Sequence, residues 1–229
     1  MSVGVILAAG GRGVRMGRNT PKQFLELFGR PIYINALSPF LGHPDITRVL
    51  IGMPEDYVSD VLREIEFHCP SEAHSGRISV YPGGKRRQDT VERGVRLLAQ
   101  WKEEISGVLV HDAARPFLSA DVLERAVQAL NAGRAVGVGV PVSDTLWKVR
   151  ESDGLSEIRE IVSRESMIAA QTPQGGPLDL FLEALDRAQS QQRDFTDEAS
   201  LFLWAGIPFF LVEGSTRNRK ITRPEDLEW

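Results

Sequence analysis

Short apolar, β-branched runs recur along this chain, and stretches with helical periodicity separate them; this alternation limits the fold more than any other feature. Val3–Leu7 opens the series and reads as a buried parallel strand. Pro31 suits the first turn of a helix carrying Ile34, Leu37 and Leu41 on one face. Arg48–Met53 is a second strand, and Asp56–Phe67 a helix with Val58, Val61, Leu62 and Ile65 as its apolar stripe. Ile78–Tyr81 is a third strand, ended by the turn Pro82-Gly83-Gly84. A helix over Asp89–Trp101 turns Val91, Val95 and Leu98 inward. Gly107–Val110, the helix Val122–Leu130 and the strand Ala135–Val140 complete the run. Five such alternations predict an α/β fold: a parallel sheet with helices on both faces, which binds ligands at the carboxyl ends of its strands.

The pattern fails after Pro141. Thr145–Val149 and Glu157–Val162 are strand-like and flank the turn Ser152-Asp153-Gly154, so Ser143–Val162 reads as a hairpin leaving the sheet. Its apolar side needs cover, and a second subunit is a natural source. Gln171-Thr172-Pro173-Gln174 reads as a polar turn. Leu178–Ala188 and Glu198–Ala205 read as helices, and Pro208–Val212 as a strand. No repeat or linker divides the 229 residues, so a single domain over 1–229 is expected, with the arm at about 142–163.

The loop after the first strand carries the chemistry. Val5–Leu27 contains Gly10, Gly11, Gly13 and Gly17 together with Arg12, Arg15, Arg18 and Lys22, and no acidic residue before Glu26, in a chain of net charge −4. That overall charge argues against general nucleic-acid binding. A loop of this kind wraps N–H groups and cations around a polyphosphate. The P-loop spacing is absent. Gly11 and Gly13 fit a dinucleotide fingerprint, but Met16 takes its third glycine position. Several cations suit a triphosphate that releases pyrophosphate. Two further polar clusters follow strands, Gly83-Gly84-Lys85-Arg86-Arg87 and His111-Asp112. Asp112 can hold Mg2+ against a triphosphate, or cap the next helix. Four histidines and the single Cys69 offer no zinc spacing and no disulfide. The chain starts directly in a strand and has no apolar run near the ~20 residues of a membrane span, so a soluble, cytoplasmic protein is expected.

Leu7–Phe24, LAAGGRGVRMGRNTPKQF, is similar to the signature of nucleotidyltransferases that join a phosphate monoester to a nucleoside triphosphate. VHDAARP (Val110–Pro116), VSDTLWK (Val142–Lys148), QTPQ (Gln171–Gln174), TDEAS (Thr196–Ser200) and KITRPEDL (Lys220–Leu227) follow in order. Together these motifs resemble the 2-C-methyl-D-erythritol 4-phosphate cytidylyltransferase family of the non-mevalonate isoprenoid pathway. The resemblance covers nearly the whole chain. It implies a three-layer, mostly parallel Rossmann-like sheet of the nucleotidyltransferase type with a protruding β-arm.

The resemblance also implies a reaction: CTP and the alcohol phosphate give the CDP-alcohol and pyrophosphate, with Mg2+ as cofactor. Arg15 and Lys22 are then the transition-state cations. Ala8, Ala9 and Gly10 line the nucleotide, Gly83, Gly84 and Thr90 read the cytosine, Ala113 touches the ribose and Asp112 holds the metal. Arg115, Thr172, Thr196 and Lys220 belong to the substrate site of one subunit. Arg164 and Thr145 reach it from the arm of the other, so a homodimer is implied. The family usually has Ser at Thr90 and Asp at Ser163, and commonly continues past Trp229 into a longer helix. Arg12, Arg18, Arg86 and Arg87 receive no role. A ribitol 5-phosphate cytidylyltransferase shares the loop, the PKQF turn and the QTPQ turn but tends to differ at the acceptor motifs. A nucleotide-binding protein without chemistry is the other alternative, and the intact Arg15, Lys22 and Asp112 set speaks against it.

Overall fold

The computed structural model describes residues 2–10, 22–101, 104–152 and 154–227. The first strand, β1 (Val3–Ala8), is buried from Val3 to Leu7, as expected of a strand covered on both faces. A two-rung hairpin of β2 (Glu26–Leu27) and β3 (Arg30–Pro31) leads into α1 (Ile32–Leu41). Pro31 thus stands one residue ahead of the helix. The alternation then runs β4 (Ile46–Met53), α2 (Val58–His68), the single-turn α3 (Pro70–His74), β5 (Ile78–Pro82) and α4 (Arg87–Leu98). It continues with β6 (Gly107–Asp112), α5 (Ala120–Asn131) and β7 (Ala135–Pro141).

These strands join a seven-stranded sheet completed by β10 (Ile168–Pro177) and β11 (Phe209–Glu213). The strand order is β11-β7-β10-β6-β1-β4-β5. Every neighbouring pair is parallel except those of β10, which runs antiparallel to both β6 and β7. The pleat divides the core in two. Val3, Val5 and Leu7 face α1, α2 and α5, while Ile6 faces the other layer, built by α4, α6 (Leu178–Ser190) and α7 (Glu198–Trp204). One expected core residue falls outside. Leu62 of α2 is 43% exposed, and Val61 and Ile65 alone anchor that helix face among its buried residues.

The largest departure from the sequence reading is Gln171–Gln174. It is not a turn but the buried middle of β10, where Gln174 is paired to neighbours on both sides and Gln171, Thr172 and Pro173 fall in an irregularity of the ladder. Glycine, proline and amide side chains have low strand preference, so local signals point to a turn. Tertiary context overrides them. Gly175 lies so close to β6 that a Cβ there would meet the Val108 carbonyl oxygen at 1.9 Å. Proline gives no N–H to a ladder, and the register with β7 shifts between Ala170 and Gln174, where Pro173 sits after a cis peptide bond.

The arm is a hairpin of β8 (Leu146–Ser152) and β9 (Leu155–Val162), a separate two-stranded sheet. It leaves from β7 and returns into β10, which are antiparallel neighbours, and Val142 N–H donates to the Met167 carbonyl at its root. A long excursion therefore leaves the main sheet intact. Trp147 pairs with Ile161 and Val149 with Ile158, which gathers four apolar side chains on one face. These four side chains are exposed, Trp147 by 59% and Ile161 by 72%.

Candidate active site at the strand ends

Ala8 and Ala9 leave β1 between two neighbours. Ala9 N–H donates to the Gly52 carbonyl of β4, and Ala113 N–H, just after β6, donates to the Ala8 carbonyl. Gln23, in the short 3-10 turn Lys22–Phe24, donates its side-chain amide to the Ala9 carbonyl at 2.8 Å. The backbone at this strand end is thereby fixed from three sides. Gly10 and Gly83 both approach Thr90. A Cβ on either would lie 3.2 or 2.9 Å from its hydroxyl. The β1 loop and the glycine turn after β5 therefore converge on one buried threonine, 1% exposed.

Thr90 shapes that turn. Its hydroxyl accepts from Gly84 N–H at 3.0 Å and donates to the Arg86 carbonyl at 3.2 Å. Gly83 N–H donates to the Met53 carbonyl. The methyl that a serine would lack packs over Gly52, where a Cβ would come within 2.3 Å of it.

Asp112, the last residue of β6, is the electrostatic centre. Its Oδ1 accepts from Arg87 Nε at 3.2 Å, and its Oδ2 from Lys220 Nζ at 2.8 Å. Arg115 Nε stands 3.7 Å from Oδ2, beyond hydrogen-bond reach, and has no hydrogen-bond partner among the described residues. Arg87 also grips Glu198 of α7 with both terminal nitrogens, at 2.7 and 3.0 Å. Three cations thus face two carboxylates among the described residues, which leaves one positive charge in excess. Burial alone would raise the Asp112 carboxyl, but Arg87, Lys220 and Arg115 outweigh it and hold the group well below the ordinary range. Burial raises the Glu198 carboxyl, with Arg87 opposing. For Arg115, burial lowers the guanidinium.

Behind Asp112 lies a buried relay. His111 Nε2 faces the Arg115 carbonyl at 3.0 Å, which can only accept, so Nε2 carries the proton. Nδ1 then accepts from the Thr172 hydroxyl at 2.9 Å, and that same hydroxyl accepts from Asp112 N–H at 3.1 Å. Full burial pushes the imidazole down to about 4, so it is neutral near pH 7. Asn218 ties the C-terminal stretch to β10 by donating to the Thr172 carbonyl at 2.8 Å, and its own carbonyl accepts from Arg115 at 2.8 Å.

Asp112, Arg115, Thr172 and Lys220 are therefore brought together, with Ala113 directly after Asp112. Thr196 is exposed, one residue before the α7 cap Asp197. Thr145 and Arg164 lie at the arm, where Arg164 donates to the Ser143 carbonyl. The described hydrogen bonds and ion pairs connect neither residue to the Asp112 cluster of the same chain. Arg15, Arg12, Arg18 and the Lys22 side chain lie outside the described residues. Sequence reasoning missed the bridging role of Arg87 and the part of Glu198. The signal was there: TDEAS offers a carboxylate with no stated partner, and GGKRR offers cations with none.

Among the described residues, no three His, Cys, Asp or Glu side chains converge on a common point. The single carboxylate of Asp112 suits a different arrangement. Mg2+ keeps much of its water and is held by one or two carboxylates plus substrate phosphates. Among the described residues each Asp112 oxygen has one N–H partner, so each retains acceptor capacity. The donor set fits such an ion.

Comparison with known proteins identifies the family and the fold. The model of the family described as IspD, 2-C-methyl-D-erythritol 4-phosphate cytidylyltransferase, matches residues 3–229. A bifunctional IspD/IspF enzyme of Solidesulfovibrio magneticus is 38% identical over 231 residues, covering 99% of this chain and 56% of the relative. The chain spans about half the length of the curated bifunctional relatives that it matches. The solved 2-C-methyl-D-erythritol 4-phosphate cytidylyltransferase of Francisella tularensis superposes with a TM-score of 0.80 at 27% identity, covering 100% of this chain and 97% of that one. That of Thermus thermophilus gives 0.75 at 31% identity, covering 99% and 96%.

Proposed function

The chain belongs to the 2-C-methyl-D-erythritol 4-phosphate cytidylyltransferase family, and on that premise we propose that it transfers the cytidylyl group of CTP to 2-C-methyl-D-erythritol 4-phosphate. The products are 4-diphosphocytidyl-2-C-methyl-D-erythritol and pyrophosphate. The observation that carries this reading is the meeting at Asp112 of Arg87, which opens α4 just after the nucleotide-side turn, and Lys220 from the acceptor-side stretch.

An oxygen of the acceptor phosphate attacks the α-phosphorus in line. The new P–O bond forms as the α–β bridging bond breaks, and its electron pair leaves with pyrophosphate. A phosphate is anionic at neutral pH, so no protein nucleophile is required, and catalysis is positioning plus charge stabilisation. Arg15 and Lys22 take the charge that develops on the α-phosphoryl and the leaving group. Lys220 and Arg115, with Thr196 and Thr172, orient the acceptor. Gly83, Gly84 and Thr90 form a rigid edge for the cytosine, Ala8, Ala9 and Gly10 allow close backbone approach, and Ala113 sits by the ribose. Asp112 would hold Mg2+, which when bound neutralises triphosphate charge.

The exposed apolar face of the arm supports a homodimer in which Arg164 and Thr145 complete the partner's site. No described helix is long and apolar enough to cross a membrane. Action in the cytoplasm suits two freely diffusing anionic substrates. Pyrophosphate release measured with CTP and either methylerythritol phosphate or ribitol 5-phosphate tests the reading. Faster turnover of ribitol phosphate would overturn the choice of acceptor.

A further inference from the structure

We infer that Glu198 is a positioning residue that keeps Asp112 open to a divalent cation by holding the fork of Arg87 away from it. The inference rests on the proposed metal role of Asp112. Its geometric basis is the unequal way Arg87 divides itself between two carboxylates. Glu198 takes both terminal nitrogens, at 2.7 and 3.0 Å, in the paired geometry typical of arginine and carboxylate. Asp112 receives only Nε, at 3.2 Å and on one oxygen. Among the described residues its other oxygen has Lys220 alone as a hydrogen-bond partner.

Without Glu198, the arginine fork has one carboxylate left within reach among the described residues. A bidentate pair with Asp112 would add a second N–H to the oxygen that Lys220 already holds and set the guanidinium fork where a metal must sit. Glu198 is suited to prevent this. It is 3% exposed, so its charge is poorly solvated and strongly drawn to the guanidinium. It begins α7, whose next residue, Ala199, donates its N–H to the Gln174 side chain in β10. The carboxylate thus projects from a start point fixed to the sheet. The device also gives the TDEAS motif a part that needs no contact with substrate.

The test is Mn2+ binding followed by electron paramagnetic resonance, with CTP present and no acceptor, beside CTP affinity measured without metal. Glu198→Gln should weaken Mn2+ binding roughly tenfold, with metal-free CTP affinity changed less than about threefold. The double variant Arg87→Gln/Glu198→Gln removes the fork together with its holder and should bring Mn2+ affinity back to within about threefold of the unaltered protein. A purely structural role for Glu198 gives no such recovery. Unchanged Mn2+ affinity in folded Glu198→Gln overturns the inference. If that variant does not fold, a tenfold or larger loss in the double variant overturns it. Asp112→Asn separates the two levels. Retained Mn2+ affinity there removes the metal assignment itself, whereas lost affinity with an unaffected Glu198→Gln removes only the positioning role.

Discussion

Lys220 Nζ lies 2.8 Å from Asp112 Oδ2, which fastens the C-terminal KITRPEDL stretch to the end of a central strand. The same ammonium is a candidate ligand for the incoming alcohol phosphate. Lys220→Met should therefore raise the acceptor KM and lower kcat/KM by roughly 10²-fold, the size expected when one charge-stabilising donor is removed. Steady-state kinetics with each substrate varied in turn would check it. An equal rise in the CTP KM would place Lys220 on the nucleotide.

Lys22 is expected to act on the departing pyrophosphate. Lys22→Ala should lower kcat by roughly 10²–10³-fold or more, with the fold intact by circular dichroism. Near-normal turnover would remove Lys22 from the mechanism.

The arm makes a paired prediction. If the proposed dimer forms through the arm, the unaltered protein should sediment as a dimer, and Trp147→Lys, which places a charge in the apolar face formed with Val149, Ile158 and Ile161, should sediment as a monomer. Arg164→Ala should raise the acceptor KM well above any change in the CTP KM. Mixed dimers of Arg164→Ala and Lys220→Met subunits should regain activity at one site, because one pairing leaves both residues intact. Absence of recovery would mean that each subunit works alone.

His111 links stability to pH. Its folded value, about 4, lies below the ordinary value near 6.5. Between those values the unfolded chain binds the proton more readily, so the stabilisation is full above pH 6.5 and is lost as pH falls toward 4. Its size is on the order of 3 kcal/mol. Urea unfolding from pH 7 to pH 4 should show this loss, and His111→Gln should flatten that part of the profile. An unchanged slope in the variant would assign the pH dependence to other groups.

The strands β1, β4, β5, β6 and β7 were legible because each is an apolar run with little polar interruption. The arm was legible because its alternation stands apart from that pattern. β10 was not, since Gln171, Pro173, Gly175 and Gly176 have no strand preference of their own; pairing with β6 and β7 supplies it. At the site, Asp112, Arg115, Thr172 and Lys220 could be assembled through the family resemblance that the motifs carry. Arg87 and Glu198 are 111 residues apart, and only the fold joins them. The hydrogen bonds by which Thr90 shapes the glycine turn were not legible, because they depend on how the turn folds back onto α4.

The most direct test of cytidylyl transfer is a phosphorus NMR time course with CTP, 2-C-methyl-D-erythritol 4-phosphate and Mg2+. The expected result is loss of the monoester signal, a pair of coupled diphosphate doublets and one equivalent of pyrophosphate. Conversion of CTP to CMP with the monoester signal unchanged, or no conversion at all, would contradict it.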